Sequence, residues 1–119
     1  MPTMDTPSVD RLLGSDLLTV DLAHRRLPAD EVLAGSPTSG VRPLADLGEV
    51  EVGIWEMSQG VARDTEVDEV FLVLSGAGEV RFEDGETIAL APGVAVRLRA
   101  GEHTVWTVAE TLRKIYIAA

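Results

Sequence analysis

The segment DEVFLVLSGAGEVRFEDG, residues 68–85, carries the clearest structural signal in the chain. In its second half Val80 and Phe82 alternate with charged residues, a period of two that is typical of a β-strand with one buried face. Asp84-Gly85 follows directly and supplies the backbone angles of a tight hairpin turn. The first half holds the longest apolar run of the chain, 70–74, which is far too short to span a bilayer. The segment therefore predicts antiparallel strands joined by short turns.

The same alternation continues on both sides of this segment. Turn residues recur about every 8 to 12 positions, a spacing typical of a β-sandwich or barrel, and no helical crossover fits between the strands. We therefore predict an all-β fold. The expected strands begin at Val50, Val80, Ile88, Val94, Thr104 and Arg113.

Composition limits the classes of partner. The chain has 119 residues, 45% of them hydrophobic, which is enough for one domain with a core. A formal charge of −10 disfavours nucleic acid and membrane surfaces as partners. Because cysteine is absent, any metal must be bound by His, Asp or Glu, and His24 and His103 are the only imidazoles. No leader or anchor pattern is visible, so we expect a cytoplasmic protein.

The N-terminal residues differ from the rest of the chain. We predict an arm over 1–30 that lies on the barrel or on a neighbouring subunit, followed by the barrel over 31–119. Within the arm, Ser8 is suited to cap a short helix through Leu13, and 17–22 alternates enough for an edge strand.

Several short motifs resemble those of a known family. Gly53-Ile54-Trp55-Glu56, Gln59-Gly60, Asp68-Glu69-Val70 and Leu74-Ser75-Gly76 look like the first motif of the small cupins. More narrowly, they resemble the cupin family grouped with (S)-ureidoglycine aminohydrolase and ethanolamine-utilisation cupins. Matches of order and spacing extend over roughly residues 31 to 117. The resemblance implies a cupin fold, a double-stranded β-helix or jelly-roll barrel, and a homodimer.

The same resemblance implies a degenerate metal site. Metal-binding cupins place His, His and Glu in the first motif and His in the second, and the matching positions here are Arg63, Thr65, Glu69 and Thr104. Only the carboxylate remains, so we expect no cofactor. The alternative is a metal-dependent cupin enzyme that uses Glu69 and His103, although alternation turns His103 out of the barrel.

Glu69 is the centre of the expected ligand site. Its motif position implies an inward side chain, and alternation then places Arg63, Thr65 and Phe71 on the same face. A carboxylate in an apolar barrel needs a partner, and we expect Arg63 to be that partner. This pair would serve either to fix the interior or to bind a polar metabolite, with Glu69 as a candidate general base. By contrast, Glu56, Glu66 and Asp68 are interpreted as a solvated face or as gatekeepers of an edge strand.

Aromatic residues complete the predicted site. Trp55, Trp106 and Tyr116 are suited to grip a small molecule, although core packing is the alternative. Lys114, the only lysine, shares a strand face with Tyr116 and is suited either to pair with Glu69 or to bind an anion. We therefore predict a cupin that binds a small polar metabolite, with its activity and its status as an enzyme open. The remaining alternative is a non-catalytic structural or interaction module. The predicted ligand-binding set is Trp55, Arg63, Thr65, Glu69, Phe71, Thr104, Trp106, Lys114 and Tyr116.

Overall fold

The computed structural model describes residues 11–119, and every regular element in this range is a β-strand. The predicted all-β class is therefore confirmed. Residues 11–119 contain no helix with the length and apolar character needed to cross a membrane. The strands are β1 (Arg25–Arg26), β2 (Val32–Ala34), β3 (Thr38–Leu47), β4 (Val50–Met57), β5 (Gly60–Thr65), β6 (Glu69–Phe82), β7 (Thr87–Leu90), β8 (Ala95–Leu98) and β9 (His103–Ala118).

Strand β9 is the element around which the barrel is built. Its first half pairs with β5 and with the end of β6, and its second half pairs with β4 and with the start of β6. Strands β3 and β1 extend the sheet beyond β4, and β2 extends it beyond β5. Strands β7 and β8 both pair with β6. All these pairings are antiparallel, and the curled sheet forms the predicted jelly-roll barrel.

Strand β6 bends where its glycines lie. Its register to β9 shifts between Val73 and Gly78, so the strand serves both halves of the barrel. At Gly76 the backbone has φ of +95°, and a Cβ there would collide with the carbonyl of Thr111. Glycine is therefore required at the end of the first motif, because any side chain would be strained and would clash.

Some strand predictions were wrong. The last two predicted strands are the single strand β9, since 109–112 has no glycine or proline to end it. The long strand β3 was missed, because Pro43 and several polar residues obscure its alternation. The predicted edge strand over 17–22 is not formed, and Asp16 instead accepts hydrogen bonds from the amides of Thr19 and Val20 in a turn. The capped helix predicted from Ser8 falls mostly outside the described residues.

The two faces of the curled sheet are buried by different partners. The inner face packs against itself, whereas the outer face of β4 and β9 lies under residues 16–26, called here the N-terminal segment. Ile54 is fully buried on this outer face. The inner core consists of Met57, Ala62, Phe71, Val73, Val80, Phe82, Leu90, Val96, Leu98, Trp106, Val108, Leu112 and Tyr116.

Arg113 attaches the N-terminal segment to the sheet. Its guanidinium donates to the carbonyl oxygens of Leu17 at 3.0 Å and Val20 at 2.5 Å, and to Glu56 Oε2 at 2.8 Å. His24 Nε2 lies 2.7 Å from the other oxygen of Glu56. Burial alone would raise the pKa of Glu56, but the hydrogen bonds from Arg113 and His24 outweigh burial and lower this pKa. Glu56 is therefore an ion-paired carboxylate beneath the segment, and its interpretation as part of a solvated face was wrong.

Candidate functional site

A cavity of about 470 Å³ opens from the interior of the barrel. Its walls come from β4, β5, β6 and β9, the strands that carry the predicted site residues. The interior is therefore not fully packed, whereas a purely structural barrel would have a filled interior. Its lining includes Leu27, Glu31, Val41, Glu51, Trp55, Met57, Ala62, Asp64, Glu66, Glu69, Trp106, Lys114 and Tyr116.

An ion pair lies at the centre of the cavity. Glu69 is on the inner face, as predicted, and its Oε2 accepts a hydrogen bond of 2.6 Å from Lys114 Nζ. The two side chains are only 11% and 7% exposed. The prediction that Arg63 neutralises Glu69 was therefore wrong. The partner is Lys114 on β9, a pairing that the sequence analysis gave as one of two roles for this lysine.

Three aromatic rings surround the ammonium group of Lys114. Its Nζ lies 4.4 Å from the ring centroid of Phe71, 4.8 Å from that of Trp55 and 4.9 Å from that of Trp106. The negative face of an aromatic ring attracts a cation, so this cage and Glu69 together fix the charged amine. The structure thus brings five of the predicted site residues into one cluster.

Arg63 and Thr65 were assigned to the wrong face. On β5, Ala62 pairs with Trp106 and Asp64 pairs with Thr104, so 62 and 64 face inward and 63 and 65 face outward. The error arises because 66–68 lies outside the strands, and the alternation of β6 starts anew at Glu69. Arg63 and Thr65 border the cavity with exposed side chains.

We expect Arg63→Ala to change the free energy of unfolding by less than about 0.5 kcal/mol, because an exposed side chain without a buried partner contributes little. Within residues 11–119 Arg63 forms no salt bridge, which supports this expectation. Urea unfolding of the variant and the wild type checks it. A loss of several kcal/mol would mean that Arg63 does neutralise a buried carboxylate.

Glu66 is a site residue that the sequence interpretation missed. It is only 7% exposed, and its Oε2 accepts hydrogen bonds from Thr104 Oγ1 at 2.6 Å and Trp106 Nε1 at 3.1 Å. Its backbone bonds to the loop before β9, through Gly101 and Glu102. A buried indole N–H needs a hydrogen-bond acceptor. The presence of Trp106 at a predicted inward position was therefore the one sequence signal for an acceptor nearby.

Asp64 is the third inward carboxyl group, after Glu69 and Glu66. Burial, and then the negative charge of Glu66, raise the pKa of Asp64 to about 6. Asp64 is nevertheless an exposed residue, so solvent screening makes the effect on stability much smaller than the pKa shift alone implies. The cavity therefore holds a carboxyl group that changes its charge near neutral pH.

This pKa predicts a pH dependence of stability. Between about 4 and about 6, folded Asp64 keeps a proton that the unfolded chain has lost, so its contribution to stability falls as pH rises through this window. Relative to wild type, Asp64→Asn should therefore gain stability from pH 4 to pH 6 and hold that gain above it. Urea unfolding at a series of pH values checks this. Stability curves that run parallel would show that Asp64 titrates normally.

Tyr116 closes the cavity on the β4 side. Its hydroxyl donates to Glu51 Oε2 at 2.7 Å, and its ring lies across Gly53, where a Cβ would collide with the ring. Burial is the largest cause that raises the pKa of this phenol, followed by the hydrogen bond to Glu51. The Gly-Ile-Trp-Glu motif therefore supplies the space for Tyr116 as well as the ring of Trp55.

His103 lies outside the barrel interior, as alternation predicts. It pairs with Thr65 on β5, and its ring lies 3.1 Å from Thr65 Oγ1 and 3.7 Å from Glu83. It lines an open groove of about 820 Å³ that does not include Glu69. The structure thus does not bring together the two residues of the metalloenzyme alternative.

The residues present do not fit the metal centre of the wider superfamily. Glu69 is bonded to Lys114, the Thr104 hydroxyl is bonded to Glu66, and no histidine lines the cavity. Within residues 11–119 no group of three or more His, Asp or Glu side chains has an arrangement that could hold a metal ion. The carboxylate that would bind the metal is instead paired with an ammonium group of the chain itself.

Comparisons with known proteins support the fold and identify the family. The structure is similar to a putative ethanolamine utilization protein Q from Salmonella typhimurium LT2, with 24% identity, a TM-score of 0.59 and coverage of 67% of this chain and 68% of that chain. It is also similar to the EutQ protein of Clostridium difficile, with 22% identity, a TM-score of 0.66 and coverage of 88% and 84%. A DUF861 family protein from Thermotoga maritima is 30% identical, with a TM-score of 0.52 and coverage of 56% and 76%.

No curated protein matches the chain in sequence. The model of the EutQ-like cupin domain matches residues 44–116, which is more than half of the chain and includes Glu69, Trp106 and Lys114. This protein therefore belongs to the family of EutQ-like cupin domains.

Proposed function

We propose that the barrel binds a small polar metabolite in the cavity around Glu69 and Lys114. The observation that carries this proposal is the cavity of about 470 Å³ with aromatic walls and convergent polar groups. Small-molecule sites have volumes of about 300–1,000 Å³ and combine apolar walls with a few fixed polar groups. Here Trp55 and Trp106 supply the walls, and Glu66, Glu69 and Lys114 supply the polar groups.

The polar groups of the cavity are well ordered. Glu66 is held by two donors and Glu69 by one, so each keeps a carboxylate oxygen or lone pair for a ligand. Groups fixed in advance lose little conformational entropy when a ligand binds. This arrangement favours a ligand that has hydrogen-bond donors at one end and a compact apolar part.

The protein has a built-in reporter for this test. Both of its tryptophans line the cavity, so a ligand bound there changes the environment of both indole rings and hence the tryptophan fluorescence. We expect a saturable fluorescence change with at least one member of a library of small polar metabolites, confirmed by calorimetry. If the ligand contacts Glu66, Glu66→Gln should weaken its binding about tenfold, since a hydrogen bond to a charged group is lost.

Glu79→Gln is the matched control, because Glu79 is exposed on the same sheet and is not part of the cavity lining. Its affinity should equal that of the wild type. A ligand that binds Glu66→Gln and a Trp106→Phe variant as well as it binds the wild type would lie outside the cavity, and the proposal would then fail.

The homodimer implied by the resemblance stays a prediction. Val70, Leu72 and Ile117 are exposed on the outer face, and Val70 is directly opposite Ile117 in the register of β6 and β9. Burial of such apolar side chains in an interface would stabilise a dimer. Light scattering combined with size-exclusion chromatography tests this prediction. The cytoplasmic location likewise stays a prediction.

A further inference from the structure

The single lysine of the chain is placed where a reactive amine would be useful. The other basic side chains are arginines and two histidines, so Lys114 carries the only side-chain primary amine. It lines the cavity, is 7% exposed, and has Nζ 2.6 Å from a carboxylate oxygen of Glu69. A primary amine next to a proton acceptor is the pair that condensation with a carbonyl group requires.

We propose that Lys114 binds small aldehydes or ketones covalently as an imine, with Glu69 as the group that accepts and returns the proton. This proposal rests on the proposed function, since it assigns a ligand class to the same cavity. A lysine that is desolvated in a pocket is a known type of nucleophile towards carbonyl compounds.

The reaction balances with the groups present. Nζ transfers a proton to Glu69, and the neutral amine attacks the carbonyl carbon, so that a C–N bond forms while the C–O π electrons move to oxygen. A proton then passes from nitrogen to that oxygen, which gives a carbinolamine. Glu69 returns its proton to the hydroxyl group, the C–O bond breaks, and water leaves. The products are a protonated imine and water, and no oxidant, reductant or net change of charge is needed.

The surroundings favour both ends of this reaction. At the start, Nζ lies 2.6 Å from Oε2 of Glu69, so the proton has a short path to its acceptor. The protonated imine has the same charge as the ammonium group that it replaces. The rings of Phe71, Trp55 and Trp106 therefore keep their cation–π attraction to the product.

The charge of the cavity selects among carbonyl compounds. Beyond the Glu69–Lys114 pair, the lining has four carboxyl groups, on Glu31, Glu51, Asp64 and Glu66, and one further cation, Arg63. This excess of negative charge repels anionic keto acids. The substrate class is therefore a small neutral aldehyde or ketone.

Borohydride trapping tests the proposal. The protein is incubated with propionaldehyde, the imine is reduced to a stable secondary amine, and peptide mass mapping locates the added propyl group. The α-amine of the chain serves as the internal reference amine. We expect Lys114 to be modified faster than the N-terminus, and we expect pyruvate to give much less Lys114 adduct than propionaldehyde does.

Variants separate the roles of the two residues. Lys114→Arg should lose the internal adduct, and Glu69→Gln should slow its formation by about a hundredfold, because general acid–base assistance is removed. Glu79→Gln should react at the wild-type rate. Circular dichroism checks the fold of each variant, and the wild-type comparison of Lys114 with the N-terminus needs no variant.

Modification of the N-terminus alone, or equal rates in the wild type and a folded Glu69→Gln, would overturn the imine proposal. In that case, a saturable change in the tryptophan fluorescence of the wild type with a metabolite would still leave the proposed function intact. The failure of the two proposals is therefore distinguishable.

Discussion

Lys114→Met should lower the free energy of unfolding by about 3 to 5 kcal/mol, the cost of leaving a buried charge without its partner. Methionine fills a similar space, so the loss reports mainly on the charge of Glu69, which is only 11% exposed. A domain of this size is stable by about 5–15 kcal/mol. The variant should therefore fold, with a clearly reduced midpoint in urea at neutral pH.

A double-mutant cycle isolates the pair. Glu69→Gln removes the carboxylate charge, so Lys114→Met should cost much less in the Glu69→Gln background than in wild type. Side chains in direct contact couple by about 0.5–3 kcal/mol, and the distance of 2.6 Å between Nζ and Oε2 requires a value in this range. Effects that simply add would mean that the two side chains do not form the ion pair in solution.

Arg113→Met should lower the free energy of unfolding by a similar amount, about 3 to 5 kcal/mol. Arg113 is 5% exposed, and its loss leaves Glu56 with His24 alone and leaves the carbonyls of Leu17 and Val20 without their donor. Amide hydrogen exchange should also become faster in residues 16–26, because the segment loses its attachment to the sheet.

Arg97→Met is the matched control for this prediction. Arg97 is 45% exposed and pairs with Asp68 at 3.2 Å, so its removal should cost no more than about 1 kcal/mol. Urea unfolding of the two variants under the same conditions gives the comparison. Equal losses would show that Arg113 does not contribute more than an ordinary surface arginine.

Most of the strands were predictable because their signals are local, whereas the inward direction of Glu69 was implied by the resemblance to the first cupin motif. Alternation with a period of two and a glycine turn are visible within a few residues, as in 79–85. The long strand β3 was missed for the same reason, since Pro43 and its polar neighbours obscure the alternation.

The partner of Glu69 was not predictable in this way. Arg63 was placed on the same face as Glu69 by assuming that side chains alternate without interruption between the two positions. Residues 66–68 form a connection between β5 and β6, and the inward–outward alternation restarts after it. Lys114 lies 45 residues away from Glu69 in the sequence. It reaches the inner face beside β6 only because the register of β6 with β9 pairs it with Val73. The sequence therefore named Lys114 only as one possible partner of Glu69, and alternation wrongly favoured Arg63.

Glu66 illustrates why the burial of a single polar residue is difficult to predict from the sequence. In the sequence it resembles its acidic neighbours, and charged residues near a turn are usually solvated. Its burial depends on Thr104 and Trp106, which are brought beside it by the pairing of β5 with β9. A polar network between distant strands is a property of the assembled barrel and has no local pattern.

The position of β9 also has a consequence for biosynthesis. Strands β4, β5 and β6 all pair with β9, but all three leave the ribosome before β9 is synthesised in full. Until residues 103–118 emerge, these strands have unpaired edges, which are templates for pairing with other chains. The nascent protein should therefore need protection by a chaperone late in translation, and chains stalled before His103 should be prone to aggregation and degradation.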